Sequence, residues 1–178
     1  MSTTALRSLA CVIALGSTAT GAMAHATLES GEATIGSAYK GVVRIGHGCD
    51  GAATLKVRVR IPDGLVGVKP MPKPGWTLET VKGPYATPYT NHGATGTEGV
   101  REISWTGKLL DENYDEFVFR GTVADSLKPG AKLYVPIVQE CEGGKADRWI
   151  EIPAEGKSSH DLKSPAPAVK LLPAQSKD

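Results

Sequence analysis

Leu55, Val57, Val59 and Ile61 alternate with Lys56, Arg58 and Arg60, an apolar–polar period of two that sends the two sets to opposite faces of a strand. Shorter runs of the same kind lie at Val42–Ile45, Trp76–Val81, Val100–Trp105, Glu116–Val123, Lys132–Val138 and Arg148–Ile152. Turn-forming pieces separate them: Pro62-Asp63-Gly64, Pro70–Gly75, Thr90–Gly99, Leu110–Asp115 and Lys128-Pro129-Gly130. No window carries an amphipathic helix of more than about two turns, and no repeat of solenoid or propeller period is present. Seven or eight short strands with regular turns predict an all-β chain, an antiparallel β-sandwich of cupredoxin or immunoglobulin type.

The two ends of the chain depart from this pattern. Residues 1–24 have Arg7 as their only charge, an apolar stretch around Leu9–Leu15, and small residues ending in Ala22-Met23-Ala24. That is the layout of a cleavable secretory signal peptide, with an apolar run too short to span a bilayer. Cys11 has a rival reading as a lipoprotein cysteine, which is discounted because Arg7 lies close in front of it and leaves no apolar stretch before a cut there. From about Lys157 the composition turns to Ser, Pro, Ala and Lys, which predicts a flexible tail over 157–178. The expected organisation is therefore a signal at 1–24, one domain at 25–156 and a tail. The expected location is the periplasm or the exterior.

Processing simplifies the charge and the cysteines. Loss of Arg7 reduces the 20 basic residues by one and leaves them balanced against 19 acidic residues. A neutral mature chain gives no electrostatic reason to bind nucleic acid, and no later segment reaches transmembrane length. Cys49 and Cys141 are the two cysteines left, and in an oxidising compartment an even pair is most simply a disulfide.

Candidate chemistry is limited by what the sequence lacks. There is no nucleophile-elbow serine, phosphate-binding glycine loop, zinc-protease helix or paired-cysteine redox motif. Cleavage after Ala24 makes His25 the first residue, whose α-amine and imidazole Nδ1 can close a six-membered chelate on one metal ion. The amine, with a reference pKa of roughly 7.7–8.0, yields its proton to a metal far more readily than a lysine. His47 lies in Gly46-His47-Gly48-Cys49-Asp50, either as an ordinary loop histidine or as a ligand held in place by the nearby crosslink. His92, in Asn91-His92-Gly93, reads as solvated in a long polar loop, and His160 as a solvated tail residue able at most to add a weak ligand. Trp76 and Trp105 read as packing residues. If Ile150 and Ile152 face the core, Trp149 points outward near His47; with the faces reversed it packs inward.

The mature chain resembles the YcnI-like family of bacterial exported copper-binding proteins. The likeness is carried by His25-Ala26-Thr27-Leu28, Gly46-His47-Gly48-Cys49-Asp50, Val59-Arg60-Ile61-Pro62-Asp63-Gly64 and Pro74-Gly75-Trp76. It continues through Asn113-Tyr114-Asp115-Glu116-Phe117, Gln139-Glu140-Cys141-Glu142 and Arg148-Trp149, covering residues 25 to about 156. The resemblance implies one Cu(II) per chain at the mature N-terminus, with a tryptophan, here Trp149, beside it. Some members complete the site with a carboxylate. The matching loop here offers His47, with Asp50 nearby, so either a three-nitrogen brace from His25 and His47 or a carboxylate ligand fits the pattern.

Coordination chemistry agrees with that implication. Amine and imidazole nitrogens in a planar set suit Cu(II). A mature chain with two cysteines paired and Met71 as its one methionine lacks the ligands of a blue-copper or Met-rich Cu(I) centre. Zn(II) would want four tetrahedral ligands, which the chain supplies poorly. The expected role is a non-catalytic copper chaperone, buffer or delivery protein, with no catalytic residues. Its expected partners are the ion and other copper-handling proteins of the envelope, and its expected state a monomer or a metal-linked dimer. The alternative is a small copper monooxygenase using the same histidine brace.

Overall fold

Twelve strands make up the computed structural model, which describes residues 26–91 and 94–175. They are β1 (Thr27–Leu28), β2 (Glu32–Thr34), β3 (Ala38–Ile45), β4 (Thr54–Arg60), β5 (Leu65–Pro70) and β6 (Thr77–Asn91). They continue with β7 (Ala94–Leu109), β8 (Asp115–Val123), β9 (Lys132–Tyr134), β10 (Ile137–Cys141), β11 (Ala146–Trp149) and β12 (Ala168–Leu172). A four-stranded sheet runs β1-β3-β8-β5, and a five-stranded sheet runs β11-β10-β4-β7-β6. A small third sheet, β2-β12-β9, holds the parallel pairing β2–β12; the other strand pairs are antiparallel. The chain is an all-β sandwich, as the alternation predicts.

Alternate side chains of the two large sheets meet between them. Val57 and Val59 of β4, Ile103 and Trp105 of β7 and Ile137 of β10 oppose Val43 and Ile45 of β3 and Phe117 and Phe119 of β8, all essentially without exposure. Phe117 packs edge-on to Trp76, with centroids 4.8 Å apart, and tilted to Trp105 at 5.5 Å, so both tryptophans have the packing role expected of them.

The pattern fails where backbone irregularity or a proline intervenes. The β4–β7 register shifts between Thr54 and Lys56, which takes Leu55 out of phase and buries Thr54 in its place. Lys132–Val138 is two strands in different sheets, divided at Val135-Pro136. The expected loop Thr90–Gly99 is mostly strand, since β6 runs to Asn91 and β7 starts at Ala94. His92 falls outside the described residues, as do His25 and residues 1–24, the expected signal.

The tail is the largest correction. Residues 168–172 form β12, with Val169 and Leu171 each 1% exposed in the core. Their alternation is one strand long, and the Ser/Pro/Ala/Lys composition around it masks the signal. Ahead of β12, the chain from Glu151 to Pro165 closes on itself. Ser164 accepts at its carbonyl from the amides of Ile150 and Glu151, and the Ala166 amide donates to the Glu151 carbonyl. His160 sits on that loop, in a short 3-10 turn, Ser159–Asp161, where its own amide donates to Ser158 Oγ. Among the described residues no helix is long and apolar enough to cross a membrane.

Candidate functional site

His47 lies two residues beyond the end of β3 and is half-buried. Its loop is held from four directions. Cys49 is bonded to Cys141, joining the end of the loop to β10 across 92 residues. The amides of Cys49 and Ala52 each donate to the other residue's carbonyl at 3.1 Å, closing a tight turn. The Gly48 amide donates to Asp111 Oδ1 at 2.8 Å. A Cβ on Gly48 would stand 1.9 Å from the Ala52 carbonyl oxygen, so the close approach of backbone to backbone requires glycine there.

The fourth support is Gln139. Inside β10 it lies between Ile137 and Cys141 on the inward face and is 1% exposed. Its Nε2 donates to the His47 carbonyl at 2.8 Å and to Thr54 Oγ1 at 2.6 Å. The bulge that turns Thr54 inward supplies the second acceptor. A buried primary amide has two N–H groups to satisfy, and here both are used. The alternation of β10 already puts Gln139 between an isoleucine and a disulfide cysteine, and that was the signal available for it.

The imidazole itself is oriented. Nδ1 of His47 lies against the Gly48 carbonyl oxygen, which can only accept, so in the neutral imidazole the proton belongs on Nδ1 and the lone pair on Nε2. This is the arrangement in which metal-bound histidines are commonly held, one nitrogen on a carbonyl and the other on the ion.

Asp50 is engaged by a lysine. It has a left-handed backbone (φ 48°) and an exposed carboxylate that accepts from Lys145 Nζ at 2.9 Å; the same ammonium also bonds the Asp50 carbonyl. That hydrogen bond and the lysine charge hold the Asp50 carboxyl below its ordinary pKa. The carboxylate that shares a face with Gln139 is Asp147 of β11. It stands opposite Gln139 in the β10–β11 register, half-buried, two residues before Trp149.

Trp149 takes the inward of its two orientations. It is 6% exposed and belongs to the core cluster, whereas Ile150 and Ile152 are 45% and 55% exposed. Trp149 pairs in register with Ile137, so Trp149 and Asp147 line the inner face of β11 as Ile137 and Gln139 line that of β10. The strand β11 is an edge of its sheet and β1 is an edge of the other.

Thr27 pairs with Arg44 and Leu28 with Val43, so the chain enters β1 alongside the end of β3 that leads into His47. Ala26 is buried in the same cluster as Trp149. Among the described residues no group of three or more His, Cys, Asp or Glu side chains gathers as a metal site. Any such centre at His47 would need a donor from outside them.

The family described as a domain of unknown function, DUF1775, matches residues 25–171. The chain belongs to DUF1775. The match takes in β12, in keeping with its place in the core. An uncharacterized protein from Nocardia farcinica, described as having an immunoglobulin-like fold, is 21% identical. The alignment covers 83% of this chain and 98% of that one, with a TM-score of 0.59. That likeness shows the DUF1775 chain to have an immunoglobulin-like fold. The sixth cohesin of scaffoldin B from Acetivibrio cellulolyticus, solved with a Cel5 dockerin, aligns at 13% identity over 83% of this chain and 97% of that one. Its TM-score of 0.39 adds nothing to the assignment. No curated protein matches the chain.

Proposed function

We propose that this DUF1775 protein is an exported copper-binding protein that holds one Cu(II) with the amine and Nδ1 of His25 and Nε2 of His47. Its role on this reading is copper homeostasis, as chaperone, buffer or delivery protein, and it is not an enzyme. The observation that carries the reading is the arrangement at His47: a proton fixed on Nδ1 by a carbonyl, a free Nε2, and a loop held by Gln139 and a crosslink beside the incoming β1. A donor set of nitrogens with at most a half-buried carboxylate, Asp147, suits Cu(II). The disulfide is compatible with export. Bound copper would supply a Lewis-acidic centre, and Trp149, buried on the inner face of the neighbouring edge strand, would limit access to it. That shielding favours storage and transfer over oxygen chemistry.

The test is titration of processed protein with Cu(II), read by EPR and by tryptophan fluorescence. One equivalent should bind, with His25→Ala abolishing tight binding and His47→Ala giving a weaker site with an altered spectrum. A form with one extra residue before His25 should lose most of its affinity, because its amine is no longer in the chelate. Identical spectra and affinities for wild type and His47→Ala would overturn the three-nitrogen brace and direct attention to Asp147.

A further inference from the structure

On the outward side of the five-stranded sheet, two clefts of about 380 and 290 Å³ run into one another, sharing Arg60, Pro136 and Ile152. The floor of the smaller is apolar, built from Val138, Ile150 and Ile152, and the two isoleucines there are about half exposed. The two isoleucines form a short apolar strip on a face that is otherwise charged. The walls are cationic. Arg58, Arg60, Arg101 and Lys132 line the combined groove against two carboxylates, Asp63 and Glu102.

Those two carboxylates are already engaged. Asp63 accepts from Arg101 Nη2 at 2.5 Å, and Glu102 lies 3.9 Å from Arg58, which also meets Glu140 at 2.9 Å. Among the described residues no carboxylate comes within ion-pairing distance of Arg60 or Lys132. The groove therefore carries two cations, Arg60 and Lys132, whose charge no carboxylate of the described residues answers.

We infer that this groove docks an extended segment of a partner protein in which acidic and apolar side chains alternate. Carboxylates would answer Arg60 and Lys132, and the apolar side chains would cover Ile150 and Ile152. Electrostatic complementarity sets the choice of partner and the apolar floor holds it. The segment lies across the sheet face and adds no strand, because the backbone beyond β11 is already bonded to Ser164 and Ala166. The docked segment would cover residues that directly follow Trp149. This inference does not depend on copper.

The experiment is an NMR titration of metal-free processed protein with an acetylated, amidated hexapeptide of alternating glutamate and leucine. Saturable shifts of the Ile150 and Ile152 methyls and the Arg60 and Arg101 side-chain signals are expected, weakening as salt is raised. Ile152→Glu, at an exposed position that should leave folding intact, should weaken binding by about tenfold. Arg60→Glu should weaken it by a few-fold. Absence of saturable shifts, equal binding of a lysine–leucine hexapeptide, or the same response to acetate alone would each overturn the proposal. So would sedimentation showing the protein to be a dimer that Ile152→Glu dissociates, since the occupant would then be a second copy.

Discussion

Replacing Gln139 by leucine tests whether a single buried amide positions the His47 loop. The two side chains are similar in size, so the substitution removes hydrogen bonds with little change in packing. Two bonds are lost, at 2.8 Å to the His47 carbonyl and 2.6 Å to Thr54 Oγ1. His47 is half-buried, so water can replace the donor there and the cost is about 1 kcal/mol. Thr54 is fully buried, water cannot reach it, and an unanswered hydroxyl oxygen costs about 1–3 kcal/mol. The added apolar burial of leucine offsets part of this, leaving roughly 2–3 kcal/mol of destabilisation. For a domain of this size that is a fall in Tm of roughly 5–10 °C. Urea titration of wild type, Gln139→Leu, Thr54→Val and the double variant completes a cycle. The double variant should be more stable than the sum of the singles implies by about 1 kcal/mol, because removing both partners leaves no orphan. A single variant within about 0.5 kcal/mol of wild type, or strict additivity, would refute the reasoning.

Gly48→Ala should cost roughly 3 kcal/mol by chemical denaturation, since the new methyl collides with the Ala52 carbonyl at 1.9 Å; wild-type stability would show that the turn gives way freely. Leu171→Ala should cost about 2–5 kcal/mol, and removal of residues 157–178 should leave a protein without a cooperative melting transition, whereas an unchanged melt would restore the flexible-tail reading. Lys145→Ala should lower stability slightly at neutral pH and not at acid pH. The depressed Asp50 carboxyl contributes stability above the ordinary carboxylate range and loses it as pH falls through the folded pKa, so the gap between variant and wild type should narrow as pH falls below that range; a gap independent of pH would contradict the assignment.

The period-two runs made the sandwich legible because both of its large sheets are wet on one face, which imposes the alternation. The pairing of Cys49 with Cys141 was legible too, from the two cysteines that lie outside the expected signal. What escaped did so for local reasons. The register shift at Leu55 reverses which residue points inward, and β12 is one short strand in a proline-rich stretch. Trp149 could not be assigned a face from Arg148-Trp149-Ile150-Glu151-Ile152, because apolar residues occupy both phases. The outward phase of that run proved to hold Ile150 and Ile152. Asp147 had no distinguishing sequence context; its place beside Gln139 comes from strand register.

The pairing of β2 with β12 sets an order of events during synthesis. Lys170 lies opposite Glu32 and Leu172 opposite Thr34, in a parallel arrangement that needs the rest of the domain between them. A growing chain releases β2 early and β12 almost last, so Ala33 waits without its neighbour while the two large sheets are made. Contacts this distant along the chain are slow to form. The third sheet therefore acts as a clasp that shuts after translation of the domain is nearly finished. Until then the hydrogen-bonding edge of β2 lacks its neighbour, while β1, β3 and β8 can already be paired.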